Sequence, residues 1–415
     1  MGYLRKFLLV LSAPLVTLVL VGAIGARVQE GQDETLRELK IFTEALSHVS
    51  RHYVEEVRLD QLERGAFQGV AESLDPWSSY HDPDRMKQLS EGDHRADIGV
   101  LLVKTPQQYV QVACVMPGSP ADLAGVEQAD YLESIDGLAS KDLTLLEAAL
   151  MLSGPAGTSV KLGYFRDAEE EEGKVVEVVR QDLSGLRVVS ERLEGGMALL
   201  SVRQLTPGIA REVGDELRRL ADSGVSGLVL DLRGNCGGEV SEAAALADHF
   251  LPPGTLFKTS TRRGESSYEA RGPATWRGSV VTLAGRDTVG EAELVAQALQ
   301  AGPSRLVGDR TFGKTSLQDL ILLDDGAGLH VTVGRFLRAD GTELPEDGLE
   351  PDEAIQRDGP PAAEQLAAAE EKGDETPAPV LQRKSSDPES GEKVPDRQLE
   401  RALEILKSSP ARKTA

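Results

Sequence analysis

Apolar positions follow a helical spacing in the first part of the chain and a strand spacing after it. Up to about Leu89, apolar residues return every three or four positions, which gives a helix one apolar face. Beyond that point short β-rich runs (IGVLLV, YVQVACV and SVKLGYF) alternate with turn signals around one helical stretch, LTLLEAALML. This pattern predicts an N-terminal helical region at residues 34–92 and a small β-domain at residues 93–168.

The next part of the chain alternates between strand and helix patterns. It begins after four glutamates, Glu169 to Glu172, which are typical of an exposed hairpin tip. MALLSV, GLVLDL and VVTLAG have the pattern of buried strands, and amphipathic helical stretches follow them. Such alternation predicts an α/β domain with crossover connections at residues 169–356, with its site at the carboxyl ends of the strands. The predicted fold class is α/β and multidomain.

The N-terminal segment has the pattern of an export signal. Arg5 and Lys6 precede an uncharged run from Phe7 to Ala26 that borders on the length of a membrane span, and AIG forms a weak cleavage site. Residues 1–30 are therefore a signal peptide or a membrane anchor, and both remain open. Either predicts that the rest of the chain lies in the cell envelope, on the periplasmic side of the inner membrane or secreted to the periplasm.

The C-terminal part changes composition twice. Residues 357–394 are polar and rich in Pro, Glu and Lys, which predicts a disordered linker because such a segment buries too little apolar surface to offset its ordering entropy. Residues 395–415 contain the periodic stretch RQLERALEILKSS, which predicts a short helix followed by a tail.

Composition excludes some functions. The 415 residues are 40% hydrophobic, so the chain is long enough for two or three domains with cores. The net charge of −23 opposes binding to nucleic acid, because each phosphate contact needs Lys or Arg. The two cysteines, Cys114 and Cys236, fall in different predicted domains, so the sequence does not imply a disulfide framework.

Four segments, taken in order, resemble the C-terminal-processing, or tail-specific, peptidases, a Ser/Lys family (S41) of bacterial envelopes and plastids. YVEEV with LDPWSSYHDP is similar to the family's N-terminal helical region, and IGVLL, PGSPADLAGV and SIDG are similar to its PDZ domain. DLRGNCGG is close to its DLRxNxGG motif, and GDRTFGKTSLQ is close to its lysine motif. The resemblance implies a PDZ β-domain followed by a peptidase-like α/β domain with β-hairpins.

The PDZ resemblance implies a binding function. A PDZ domain adds a peptide as a strand to a sheet edge, and backbone N–H groups of the preceding loop hold the terminal carboxylate. The matching stretch is Ile98, Gly99, Val100 and Leu101. The predicted partners are protein or peptide C-termini, although a PDZ domain that serves only as a spacer remains an alternative.

The peptidase resemblance implies roles for four residues. Lys314 matches the general base, which must be neutral to take the proton of a serine hydroxyl, and Gln318 matches the glutamine that orients it. Gly237 and Gly238 match the glycines whose N–H groups stabilise the oxyanion. The alternative for Lys314 is a solvated lysine in a hairpin turn. The alternative for Gly237 and Gly238 is that they only permit a turn. A reactive Cys236 thiol is a further alternative.

The nucleophile is where the chain departs from the family. The family has a serine in an SASASE-like string, whereas this chain has DTVGEAE, in which Gly290 stands at the nucleophile position. Counting back from Lys314 by the interval usual in the family selects Val289 instead. Neither Gly290 nor Val289 has a hydroxyl. Thr288 is the one hydroxyl residue nearby and a possible substitute only if the turn is rewound. The retained base with a lost serine predicts a degenerate site.

Three other patterns have weaker interpretations. Ser316 lies two residues after Lys314 and would point away from it in an extended strand. GDRTFGKT also satisfies the P-loop pattern, but the segment after it reads as two strands and not as a helix. His48 and His52 have a helical spacing without a third ligand. We expect no metal and no cofactor.

The sequence therefore predicts an exported protein whose PDZ domain binds protein C-termini without cutting them. Two alternatives stay open. One is an active Ser/Lys-type endopeptidase that processes envelope proteins with Thr288, and the other is a regulatory partner of an active paralogue in a homo- or hetero-oligomer. The membrane is a further expected partner, through the N-terminal segment.

Overall fold

A computed structural model describes residues 37, 39–92, 95–104, 109–166, 173–356 and 396–408. The predicted export segment at residues 1–30 and the predicted linker at residues 357–394 lie outside the described residues. Across the described ranges, no helix combines the length and apolar character needed to cross a bilayer.

The chain separates into two units, residues 1–69 and 70–415. The first holds helix α1 (residues 39–52) and most of helix α2 (Leu59–Glu72). This confirms the helical region predicted from the apolar spacing. Several apolar side chains of these helices are about half exposed, among them Leu39, Phe42 and Val49.

The second unit begins with the segment LDPWSSYHDP and the elements around it. Strand β1 (Ser79–His81) is fully buried, and helix α3 (Pro83–Glu91) follows it. The helix starts where it does because the Asp82 carboxylate accepts a hydrogen bond from the Arg85 N–H at 2.9 Å and proline occupies the first turn.

The predicted β-domain is an antiparallel sheet with two helices. Its strands are β2 (Val100–Lys104), β3 (Val110–Val115), β4 (Tyr131–Ile135), β5 (Leu138–Ala139), β6 (Ser159–Phe165) and β7 (Lys174–Val179). Its helices are α4 (Pro120–Leu123) and α5 (Leu145–Leu152), and Thr144 and Glu147 form a capping box at the start of α5. The strand order is β2-β3-β4-β6-β7, with β5 beside β4, so β2 lies at an edge.

The boundary of this domain lies further along the chain than predicted. Strand β7 pairs with β6 along its whole length, and Gln181 forms a bridge with Asp97. The boundary at residue 168 is therefore wrong, because the glutamate run connects the two arms of one hairpin and the second arm belongs to the same sheet.

The α/β domain is built on a second sheet. Its strands, in spatial order, are β17 (Glu353–Ala354), β14 (Arg305–Gly308), β13 (Ser279–Ala284), β10 (Gly227–Asp231), β9 (Met197–Val202) and β8 (Val188–Leu193). All neighbours are parallel except the β8–β9 pair. The short helix α6 (Ser184–Arg187) precedes β8. Parallel strands joined by helices confirm the predicted α/β class.

Helices cover both faces of the parallel sheet. Helices α7 (Ile209–Asp222), α8 (Val240–Asp248) and α9 (Glu291–Gln300) supply residues such as Leu217, Leu246 and Leu294 to one buried core. Helix α10 (Arg397–Ser408) packs Ala402 and Leu406 against the opposite face. The C-terminal helix predicted from the sequence is thus a covering layer of the α/β domain.

The DLRG segment anchors this last helix. The Arg233 guanidinium binds the Asp231 carboxylate, the Asp396 carboxylate and the Gln398 amide oxygen. Burial raises the pKa of Asp231, but attraction to Arg233 and Arg203 outweighs it and lowers the pKa to about 2. At neutral pH Asp231 and Arg233 of the DLRG segment therefore hold the C-terminal helix α10 against the α/β domain.

A third, antiparallel sheet carries the lysine motif. Its strands are β1, β11 (Gly254–Thr261), β12 (Gly264–Ala270), β15 (Ser316–Leu322) and β16 (Gly328–Arg338), and β16 pairs with β1, β11 and β15. The segment after GDRTFGKT is a β-hairpin, as predicted. A P-loop is excluded, since no helix follows this segment to present its N–H groups to phosphate.

Candidate active site

Gly290 lies where β13 has ended and α9 begins. Its φ of 61° and ψ of −115° are available to glycine and strained for other residues. A Cβ atom built on Gly290 would lie 3.5 Å from Lys314 Cδ and 3.7 Å from Lys314 Nζ. A side chain at this position would therefore face the lysine amine, whereas Val289 is fully buried in the core. Of the two predicted nucleophile positions, Gly290 is therefore the one that faces Lys314, and Val289 is not.

Lys314 is held in place through its backbone and beside an aromatic ring. Its N–H donates to Glu293 Oε2 at 2.9 Å, and its Nζ lies 5.2 Å from the centre of the Trp77 ring. Trp77 comes from LDPWSSYHDP and packs edge-to-face on Phe312, 6.3 Å between ring centres. Among the residues that the structure describes, the ammonium group makes no hydrogen bond or ion pair.

Glu293 joins the glycine turn to the lysine loop. Its carboxylate, 1% exposed, accepts hydrogen bonds from the N–H groups of Gly290, Gly313 and Lys314 and from the Thr311 hydroxyl. Burial raises the pKa of Glu293, and these hydrogen bonds oppose that effect. The sequence showed Glu293 only as the glutamate of the serine string, whereas the structure shows it as the acceptor that positions Gly290 against Lys314.

Gln318 lies on strand β15 and contacts hydroxyl groups. Its Nε2 donates to Ser316 Oγ at 2.8 Å and to Thr332 Oγ1 at 2.9 Å. Its Oε1 atom is buried without a partner among the described residues. The structure therefore contains no Gln318–Lys314 hydrogen bond in its described part, and the orienting role implied by the resemblance stays a prediction. Ser316, through its Oγ, belongs to the Gln318 network.

The two glycines of the predicted oxyanion turn already have acceptors. Gly237 N–H donates to Asn235 Oδ1 at 3.0 Å, and Gly238 N–H donates to Glu291 Oε2 at 3.0 Å. Both positions need glycine for packing as well, since a Cβ on Gly237 would lie 2.7 Å from Glu291 Oε2 and one on Gly238 would lie 2.2 Å from the Leu205 carbonyl oxygen. Glu291, which sequence reasoning missed, is thus part of this site.

Thr288 is fully buried and uses its hydroxyl within the loop. Its Oγ1 donates to the Leu232 carbonyl oxygen at 2.9 Å and accepts from Gly285 N–H at 3.0 Å. These two bonds close the turn after β13. The hydroxyl is therefore not presented to Lys314, so the proposed substitution of Thr288 for the serine does not fit this arrangement.

A disulfide connects the oxyanion turn to the PDZ-like sheet. Cys114 on β3 and Cys236, which directly precedes Gly237, are bonded with their Cα atoms 5.6 Å apart. The sequence did not imply this bond, and the alternative of a reactive Cys236 thiol is wrong. The domains meet closely at this point, because a Cβ on Gly234 would lie 2.3 Å from Pro117 Cδ. The available clue was that the chain has two cysteines and a predicted export signal.

The predicted carboxylate-binding loop also contains an internal carboxylate. Asp97 Oδ1 accepts a hydrogen bond from Gly99 N–H at 2.7 Å, and burial raises the pKa of Asp97. Gly99 has a φ of 86°, and a Cβ there would lie 2.3 Å from the Ser119 Cβ. Ile98 points into the domain core with no exposed surface, and Val100 and Leu101 start the edge strand β2.

Strand β2 lies at the edge of its sheet. Within the described residues, β3 is the one strand that pairs with β2, and helix α5 runs beside it. This arrangement of an edge strand, a helix and a glycine loop is the one that PDZ domains use for peptides.

In the part of the chain that the structure describes, His48 and His52 have no further residues grouped with them to form a metal site. Their rings stack with centres 5.6 Å apart. Over the described ranges, no three His, Cys, Asp or Glu side chains are grouped so as to hold a metal ion.

Three regions of the chain match protein-family models. Residues 196–355 match Peptidase family S41, residues 111–164 match a PDZ domain, and residues 23–85 match the N-terminal domain of the activating protease CtpB. This is the same order of domains that the sequence motifs predicted.

Curated proteins and one solved structure agree with these matches. The carboxyl-terminal-processing protease of Picosynechococcus is 29% identical over 376 residues, which cover 84% of this chain and 90% of that protein. The carboxyl-terminal-processing protease of Synechocystis is 31% identical over 278 residues, 65% of each chain. The structure of a photosystem II D1 C-terminal processing protease has the same fold, with a TM-score of 0.65 at 24% identity over 77% of this chain and 93% of that one.

Together with the fold, these similarities define a PDZ-containing serine-type peptidase scaffold. Residues 196–355 match the S41 peptidase family, and most of the chain is similar to carboxyl-terminal-processing proteases.

Proposed function

We propose that this chain binds protein C-termini through its PDZ domain and does not cleave them. One observation carries the proposal. The position that faces Lys314 Nζ is Gly290, which has no hydroxyl to attack a peptide carbonyl. Loss of the nucleophile in a serine peptidase lowers turnover by about six powers of ten.

The geometry disfavours the rival hypothesis of an active peptidase. Thr288, the one candidate substitute, has its hydroxyl bonded to Leu232 and Gly285. The retained base, Lys314, therefore has no hydroxyl partner at the nucleophile position.

The arrangement of the PDZ domain supports peptide binding. Strand β2 is an edge strand whose outer N–H and C=O groups could pair with a peptide, and helix α5 packs beside it. The glycine loop at Gly99 supplies amide donors once the Asp97 carboxylate is displaced. Affinity then comes from main-chain hydrogen bonds, and preference for a terminus comes from the carboxylate at the loop.

We also propose that the chain is exported to the cell envelope. The charged and apolar pattern of residues 1–30 supports this, with a membrane anchor and a cleaved signal peptide both in keeping with it. The Cys114–Cys236 disulfide supports it independently, because disulfides persist in oxidising compartments such as the periplasm.

The experiment compares the unsubstituted protein with its Lys314→Ala variant. Each is mixed with a disordered polypeptide that has an apolar C-terminus, and with the same polypeptide amidated at that terminus. We expect both proteins to bind the free terminus at least tenfold more tightly than the amidated one, and neither to cleave it. Cleavage that the Lys314→Ala variant loses would refute the proposal.

A further inference from the structure

Glu291 places a negative oxygen at the Gly238 amide, in the position where a peptidase would stabilise its reaction intermediate. The carboxylate is 7% exposed, and its Oε2 atom lies 3.0 Å from Gly238 N. Its own backbone nitrogen belongs to the same site, because a Cβ built on Gly237 would lie 3.9 Å from Glu291 N and 2.7 Å from Glu291 Oε2.

These two amides are the donors that an acyl-transfer site needs. The N–H of the residue after the nucleophile position and an N–H from a second loop together stabilise the oxyanion in such elbows. Glu291 directly follows Gly290, and it is the first residue of α9, whose N–H has no acceptor within the helix. The second loop is the Cys236–Gly238 turn.

We propose that Glu291 acts as an internal oxyanion mimic that blocks this site, so that catalysis is lost at two separate points. A carboxylate oxygen resembles the oxyanion in charge and in its preference for N–H donors, and the start of helix α9 favours a negative charge. A substrate carbonyl would have to displace the carboxylate. Its developing charge would then be repelled by the displaced group. This inference rests on the proposed loss of activity and predicts that restoring a serine alone would give little activity.

The test asks whether restored chemistry depends on removing this carboxylate. In the restored reaction the introduced hydroxyl oxygen would bond to the substrate carbonyl carbon while its proton passes to the neutral Lys314 amine. The peptide C–N bond would then break and the amine would leave with that proton. Water would hydrolyse the ester in the second step.

Four proteins are compared in cleavage of a fluorogenic disordered polypeptide and in labelling by a fluorophosphonate. They are the Gly290→Ser variant, the Gly290→Ser/Glu291→Ala variant, the Gly290→Ser/Glu291→Gln variant and the control Gly290→Ser/Glu239→Ala. Glu239 is a matched control because it is an exposed carboxylate directly after Gly238 and bonds Ser241. Thermal unfolding confirms that each variant is folded.

We expect the Glu291→Ala double variant to react about 100- to 1000-fold faster than Gly290→Ser alone, the usual effect of one oxyanion donor. The Glu291→Gln double variant, with a neutral acceptor of the same size, should be intermediate, and the Glu239→Ala control should match Gly290→Ser. Equal rates in Gly290→Ser and both Glu291 double variants, including no reaction in any, would overturn the proposal.

Failure of the proposed function looks different. It would appear as Lys314-dependent cleavage by the unsubstituted protein. In that case the cleavage rate of the Glu291→Ala single variant is compared with that of the unsubstituted protein. The inference about Glu291 holds if the variant cleaves faster and fails if it does not.

Discussion

In the predicted PDZ carboxylate loop and in the predicted oxyanion turn, a backbone amide donates a hydrogen bond to a carboxylate of the chain itself. In the PDZ loop the carboxylate is local, since Asp97 reaches Gly99 N–H two residues away. In the oxyanion turn it comes from another element, since Glu291 is 53 residues from Gly238. Both loops use glycines that no other residue could replace without a clash.

The difference lies in what surrounds each carboxylate. Beside Asp97 lie the edge strand β2 and helix α5, so under the proposed function a ligand carboxylate would compete for the amide. Beside Glu291 stands Gly290, which has no hydroxyl, so under the same proposal displacement of the carboxylate would lead to no reaction. The comparison teaches that an internal anion can regulate ligand binding at a site whose other parts are present. At a site that lacks its nucleophile, the internal anion only adds to a loss of activity that already exists.

The largest effect on stability should come from substitution of Glu293, which supports the peptidase site and not the PDZ loop. The Glu293→Ala substitution removes the acceptor for Gly290, Gly313, Lys314 and Thr311 and leaves buried donors unpaired. We expect a loss of about 3–5 kcal/mol in the free energy of unfolding, measured by urea denaturation.

Glu293→Gln is the matched control for this prediction, because it keeps the size and one acceptor oxygen, and it should lose less. Peptide binding by the PDZ domain should survive in any Glu293→Ala protein that remains folded. A stability close to that of the unsubstituted protein would show that Glu293 does not hold the site together.

The second prediction breaks the covalent link between the two regions. The Cys114→Ala/Cys236→Ala variant should lose about 3–4 kcal/mol of stability, because the bond closes a loop across 122 residues and restricts the unfolded chain. Denaturation with and without a reductant provides the control. The reductant should destabilise the unsubstituted protein and leave the variant unchanged, and an equal effect on both would contradict the prediction.

A fall in pH should have opposite effects on stability at His81, on strand β1, and at Asp97, in the PDZ loop. Burial, with the nearby His330, lowers the pKa of His81 to about 4, while burial raises the pKa of Asp97. The unfolded state therefore binds more protons at His81 between about pH 6.5 and 4, so stability falls as the pH drops through that window, by about 2–3 kcal/mol. Asp97 has the opposite sign, since its folded form binds the proton more readily.

The His81→Gln variant isolates the histidine contribution, because glutamine can still reach the Ser79 hydroxyl that His81 Nε2 contacts at 2.9 Å. Unfolding midpoints measured from pH 7 to 4 should fall less steeply in this variant than in the unsubstituted protein. Parallel curves for the two proteins would show that His81 is not the titrating group.

The smallest effect concerns the PDZ loop. The Asp97→Ala substitution frees the Gly99 amide and removes a charge that repels a ligand carboxylate, so a peptide with a free C-terminus should bind about tenfold more tightly, or about 1.4 kcal/mol. Asp97→Asn, which keeps the acceptor oxygen without the charge, should give a smaller gain. Calorimetric titration measures both, and an equal gain for an amidated peptide would argue against competition at the loop.

Much of the fold could be predicted from local patterns. Ile209, Val213 and Leu217 have the spacing of one helix face, and they lie buried on α7 as that spacing requires. The Asp-Gly turn after Leu322 likewise predicted the β15–β16 hairpin, because such residues favour tight turns. Alignment of DTVGEAE with the family's serine string selected Gly290, the position that faces Lys314, whereas the interval from Lys314 selected Val289.

The occupied amides and the disulfide could not be predicted in the same way. Glu291 looks like an ordinary first-turn helix residue in the sequence, and its partner is fixed only when α9 packs against the Gly238 turn. Asp97 looks like a turn residue. The domain boundary failed for a different reason. The glutamate run was typical of a hairpin tip, but the boundary at residue 168 was placed between the two arms of that hairpin.

The Cys114–Cys236 bond also gives the chain a covalent mark of how its cores are paired. Its sulfur atoms belong to elements of two separate cores, so the bond joins those cores side by side. A non-reducing gel separates the bonded chain from the reduced chain, so formation of the bond can be timed against folding of the two cores.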